Sequence, residues 1–171
     1  MKIRPMTRCA VFAAAMTVCS WLAIPLGELA VSLQTFALFL TLGLLGGGQA
    51  AVVCLVYLSL GALGLPVFTG FQGGLGHLLG PTGGYLWGFL VAALIFWAVE
   101  KWVPRLPALA LALLGCYACG TVWYAWVYAE GSLWAVLLKC VVPYLLPDGL
   151  KLTLAWLLIP RLKAVAGKPM E

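Results

Sequence analysis

Apolar residues in this chain come in long runs, with neither the strict alternation of a half-buried strand nor the single stripe of a surface helix. The runs cover 9–25, 33–46, 49–64, 85–99, 108–129, 132–146 and 148–162, and glycine, proline or charge marks each break. The first follows Lys2, Arg4 and Arg8 and stops at Pro25, so it reads as a retained first span rather than a cleaved signal segment. Gly46-Gly47-Gly48 ends the second run sharply. Residues 65–84 are dense in glycine and predict a long structured loop, the kind of segment that carries function. Run 132–146 is broken by Lys139 and Pro143, and its length suits a short re-entrant or interfacial helix. A sixth span is predicted to enter after Pro147 and to run from 148 to 162. The expectation is an all-α integral membrane protein with six transmembrane helices, forming a single transmembrane domain over residues 1–171.

Composition agrees. Hydrophobic residues make up 64% of the chain and charged residues only 9%, where a soluble domain carries roughly 25% charged residues to cover its surface. No Asp, Glu, Lys or Arg occurs between Glu28 and Glu100, which several spans joined by short loops explain and a water-soluble core does not. The net charge of +5 is not a nucleic-acid footprint, because its cations flank apolar runs instead of lining one polar face. Eight of the ten Lys and Arg residues fall in the amino terminus, the segment between spans four and five, and the carboxyl terminus. Six spans put those three regions on one side, and the positive-inside rule makes that side, with both termini, cytoplasmic. The partner this predicts first is a lipid bilayer, in a cell (inner, cytoplasmic) membrane.

With that topology, spans two, four and six all start at the outer face, each with the most polar sequence around it. Span two opens with Gln34-Thr35, span four with Gly80-Pro81-Thr82-Gly83-Gly84-Tyr85, and span six with Pro147-Asp148-Gly149-Leu150-Lys151. Helix starts carry unpaired N–H groups and partial positive charge, so several sharing one cavity would receive a polar solute. Asp148 and Lys151 are the strongest individual candidates, because charge inside a span is expensive and usually functional. Two readings stand side by side: a cap with an i,i+3 pair, or a solute-binding pair. The glycines, among them Gly70, Gly73, Gly74 and Gly83, either only permit tight turns and close packing or also let a solute approach. His77 reads as a loop residue rather than a ligand or a base. Ala10-x-x-x-Ala14 puts small residues on one face of the first span, where another membrane helix could approach closely.

Other functions find little support. The Cys116-x-x-Cys119 pair has no second pair and only one histidine in the chain, so packing, not a metal or redox site, is expected. No metal and no cofactor is called for. No Gly-x-x-x-x-Gly-Lys followed by Ser or Thr is present, so the chain has no phosphate-binding loop for ATP. Scattered serines and a lone histidine make a poor intramembrane enzyme.

Pro66-Val67-Phe68 with the glycine-rich loop, GPTGGY at 80–85, Gln34-Thr35-Phe36 and PYLLPDGLK at 143–151 together resemble the BioY family. BioY proteins are the biotin-binding S components of energy-coupling factor (ECF) transporters, and the resemblance runs from about residue 9 to 162. It implies a six-helix S-component fold that captures biotin from outside. It also implies a transmembrane coupling subunit and two cytoplasmic ATPase subunits as partners, docking on an alanine motif where Ala10 and Ala14 stand. Ligand contacts carry over to Asp148 and Lys151, which would meet the N–H donors and the carbonyl of the ureido ring, and more loosely to the loop before span four. An S component for another small vitamin, or a solitary biotin transporter, is the alternative.

Overall fold

The structure is a computed structural model and describes residues 3–26, 29–128 and 133–165. Helix α1 (Ile3–Trp21) leads into a two-stranded antiparallel ribbon of β1 (Ala23–Leu26) and β2 (Leu29–Ser32). Then come α2 (Gln34–Leu45), α3 (Gly47–Ala62), the single turn α4 (Leu75–Leu78), α5 (Gly83–Val99), α6 (Arg105–Val127), α7 (Leu133–Cys140) and α8 (Val142–Val165). The protein is helical, as the apolar runs predict. Helices α6 and α8 are long and apolar enough to cross a membrane, while α1, α2, α3 and α5 are shorter apolar helices. Gly46 alone separates α2 from α3, and the 12 residues of α2 span only about 18 Å at 1.5 Å per residue.

Two features depart from the sequence reading. The ribbon was not expected, because its strands are only four residues each and abut an apolar helix; it pairs Ala23 with Ser32 through to Leu26 with Leu29. Helix α8 starts at Val142, not at Asp148, and runs through Pro147. Proline is at home in a first turn, as at Pro143, where its missing N–H is not needed. Pro147 removes one further backbone bond, and a membrane helix packed among neighbours tolerates that loss. Asp148 therefore sits in the second turn of α8 and is not at its start. The short helix expected over 132–146 is divided between α7 and the first turn of α8, with only Val141 between them. Lys139, which interrupts that run, lies outside the described side chains.

Small residues set the tightest packing. Along the antiparallel pair α5–α6, Gly84 faces Trp123, Gly88 faces Cys116, Gly120 faces Tyr85 and Gly115 faces Ile95. A Cβ at Gly88 would lie 2.9 Å from the Cys116 carbonyl oxygen, so that contact admits no side chain. Dispersion between closely approaching backbones is what holds apolar helices together where lipid removes the hydrophobic drive. Cys116 packs there as a small residue, its thiol donating to the Tyr85 carbonyl at 3.6 Å, and both Cys116 and Cys119 are free thiols. Met16, Phe39, Leu42, Tyr57, Phe68 and Ile159 fill the interior, while Trp102, Trp126 and Leu146 stand almost fully exposed.

Candidate functional site

The leading turns of α2 and α5, the second turn of α8, the middle of α6 and the loop after α3 enclose a cavity of about 280 Å³. Strand β2 contributes Val31 and Ser32, and the end of α7 contributes Cys140, so the unexpected ribbon and the short helix help to wall the chamber. Val136, Cys140 and Tyr144 form a small apolar cluster there, packed against Val31, Tyr85 and Tyr124.

At the base of the chamber sits an ion pair. Lys151 Nζ donates to Asp148 Oδ1 at 2.7 Å, and both side chains are nearly out of contact with solvent, at 10% and 7% exposure. The Thr35 hydroxyl donates to the same oxygen at 2.9 Å and accepts from Lys151 Nζ at 3.2 Å. On the other side, the Tyr117 hydroxyl donates to Asp148 Oδ2 at 2.7 Å, with the Tyr144 carbonyl 3.3 Å away. Three helices, α2, α6 and α8, thus fix one carboxylate. A buried ion pair is tolerated only when hydrogen bonds satisfy what is left of it, and here they nearly do. A carboxylate offers about four acceptor positions and an ammonium three donors. Three donors reach Asp148 and Lys151 uses two of its own. One acceptor position on Oδ2 and one N–H on Lys151 remain, side by side on residues that line the chamber. A solute group with a carbonyl next to an N–H fills both.

A second network ties the loop over the chamber to the bundle. Gln34 Nε2 donates to the Tyr57 hydroxyl at 2.7 Å, which donates to the Val67 carbonyl at 2.7 Å; Ser20 Oγ reaches the same carbonyl at 2.7 Å. Trp21 Nε1 donates to the Pro66 carbonyl at 2.9 Å, and its ring stacks on Phe71 at 4.8 Å. The course of the loop depends on a glycine: Gly74 holds a φ of +93° that other residues rarely adopt, and its N–H donates to the Gly61 carbonyl at 2.6 Å. Further along, His77 Nε2 lies 3.3 Å from Thr82 Oγ1 and its ring stacks on Phe68 at 5.2 Å. Burial lowers the His77 pKa below its usual value, which keeps the ring neutral near pH 7.

Of the residues singled out from sequence, Gln34, Thr35, Thr82, Tyr85, Asp148 and Lys151 line this one chamber. Gly70, Gly73, Gly74 and Gly83 do not; they shape the loop and the start of α5, and a Cβ at Gly83 would collide with the Leu78 carbonyl. Ala10 and Ala14 lie on the exposed face of α1, opposite the buried Cys9, Ala13 and Met16. The sequence reading passed over Tyr117, Tyr144, Thr69, Gln72 and Cys140, and it set aside His77, which lines the chamber. A tyrosine inside an apolar run looks like any other aromatic of the span, so only its distance to Asp148 reveals Tyr117. Among the described residues no group of three or more His, Cys, Asp or Glu could hold a metal ion.

Apolar helices around a chamber with ionisable groups at its base define a helical membrane protein built about a small-solute cavity. The BioY family profile matches residues 1–168, and the chain belongs to the BioY family. A "Probable biotin transporter BioY" of Pyrococcus horikoshii is 36% identical over 95% of this chain and 98% of its own length. The "Biotin transporter BioY" of Thermotoga maritima is 42% identical over 93 residues, 54% of this chain and about half (55%) of that protein. Among solved structures, the S-component for biotin from an ECF-type ABC transporter superposes with a TM-score of 0.85 at 25% identity, covering 95% of this chain and 92% of that one.

Proposed function

We propose that the chain is the biotin-capturing S component of an ECF-type vitamin transporter, a transport subunit and not an enzyme. The observation that carries this is the half-filled pair at the chamber base: one free acceptor on Asp148 and one free donor on Lys151, next to each other. The ureido ring of biotin presents an N–H and a carbonyl in matching order. Tyr85, Phe89 and Tyr144 give its apolar ring and chain a wall to pack on. Gln34, Thr35, Thr82 and Tyr85 complete the binding set, with Gly70, Gly73, Gly74 and Gly83 holding the loop in place.

The same reading places the protein as one domain of six spans in the cell membrane, with both termini cytoplasmic and the chamber open to the outside; the charge distribution supports it. Delivery inward then needs a coupling subunit and two ATPases, and the exposed small-residue face at Ala10 and Ala14 suits the approach of another membrane helix. Binding of biotin and of a panel of other small vitamins to the purified chain tests the ligand. Biotin is expected to raise the melting temperature at saturation and to be displaced by no other vitamin of the panel. Stabilisation by a different vitamin, or by none, overturns the assignment. Uptake measured with and without coexpressed coupling subunits distinguishes a driven S component from a solitary transporter.

A further inference from the structure

At the end of the bundle away from the chamber, α2, α5, α6 and α8 part around a second cavity of about 350 Å³. Three charged side chains line it: Glu100 at the end of α5, Arg105 at the start of α6 and Lys163 in the last turn of α8. Glu100 is already engaged, its Oε2 accepting the Gly47 N–H at 3.0 Å and so capping the first turn of α3. Arg105 and Lys163 make no close ion pair among the described residues, and Lys163 lies near enough to Arg105 and Glu100 to feel both charges. The first turn of the 23-residue α6 also lines the cavity through Pro104, Arg105 and Ala108, and no side chain caps it. With proline at 107, the N–H groups of Arg105 and Leu106 are the donors left at that helix end.

Two cations with no close ion pair among the described residues, outnumbering the one carboxylate beside them, and an uncapped helix start around one hollow all favour the same visitor, an oxyanion. We propose that this second cavity binds a phosphate group, held by Arg105 and Lys163 against the start of α6. A carboxylate would use only part of the hollow; a phosphate with what it carries occupies more of it and takes the Arg fork and the Lys charge together. In a membrane protein the nearest source is the headgroup of an anionic lipid, and basic pockets between helix ends are known to hold such headgroups. Free phosphate is the other source. The inference stands independently of which solute the first chamber holds.

The test is the melting temperature of the purified full chain in mixed micelles of detergent with phosphatidylglycerol or with phosphatidylcholine, and separately in inorganic phosphate at matched ionic strength. The wild type is expected to be stabilised by phosphatidylglycerol relative to phosphatidylcholine. An Arg105→Gln/Lys163→Gln variant should lose most of that shift, and Lys101→Gln, an exposed neighbour that does not line the cavity, should keep it. Stabilisation by inorganic phosphate alone, with the same dependence on Arg105 and Lys163, supports the site with free phosphate as its ligand. No stabilisation by either, a full shift in the double variant, or an equal loss in Lys101→Gln overturns the proposal, the last two by showing a diffuse charge effect.

Discussion

The two ends of the bundle handle charge in opposite ways, buried at one and exposed at the other. At the chamber, Asp148 and Lys151 are paired, neutral as a unit, and braced by Thr35 and Tyr117 from two other helices. At the far end, Glu100 spends its carboxylate on the start of α3 and leaves two cations facing a hollow. The same four helices line both. A site that must recognise a neutral ring is better made from a self-compensated pair, whose leftover hydrogen-bond positions give direction without a net field. An unpaired basic pocket recognises charge first and shape second. The difference is one of arrangement more than of residue type.

That contrast can be broken at its strongest point by removing one partner of the pair. Asp148→Leu alone or Lys151→Met alone strands a buried charge and should cost about 3–5 kcal/mol of stability. The combined Asp148→Leu/Lys151→Met variant should recover most of it, because two apolar side chains of similar size leave no uncompensated charge. Thermal denaturation of the three variants checks this; an additive loss in the double variant would show that the pair is not a unit. Next in size, Tyr117→Phe deletes one hydrogen bond to a charged oxygen, an effect of about 1.5–3 kcal/mol on stability, read as a lower melting temperature.

At the far end the expected effects are smaller. Glu100→Gln keeps an acceptor for the Gly47 N–H but removes the charge at the start of α3, so about 0.3–1 kcal/mol of stability should go. A loss as large as that of Asp148→Leu would contradict the claim that Glu100 acts only as a cap. The smallest effect concerns His77 in the loop. Its pKa is lowered by burial, so the folded protein binds its proton less readily than the unfolded chain. The stabilisation is complete above the unfolded value of about 6.5 and is lost as pH falls through the lower folded value. His77→Gln should flatten that acid limb in a plot of melting temperature against pH.

Much of this was legible in the sequence, for physical reasons. Asp148 and Lys151 stand out because charge within an apolar run has few passive explanations, and the glycine segment before Tyr85 stands out because only a shaped loop needs so many. Boundaries were less legible. Pro147 looks like a helix entry, yet α8 continues through it, since packing against neighbours outweighs one lost backbone bond. The ribbon at 23–32 was hidden because four-residue apolar strands beside a helix carry no periodic signal. Tyr117 and Tyr57 were hidden because a hydroxyl adds little to the look of an aromatic residue in a span, though it decides two hydrogen-bond networks.

The central claim is that Asp148 and Lys151 read the ureido ring, and calorimetric titration of biotin into wild type and the Asp148→Leu/Lys151→Met variant tests it most directly. With both proteins folded to the same melting temperature, the variant should bind weaker by about 2–5 kcal/mol, ~30-fold or more in Kd. Equal dissociation constants for the two proteins would mean that biotin is held elsewhere.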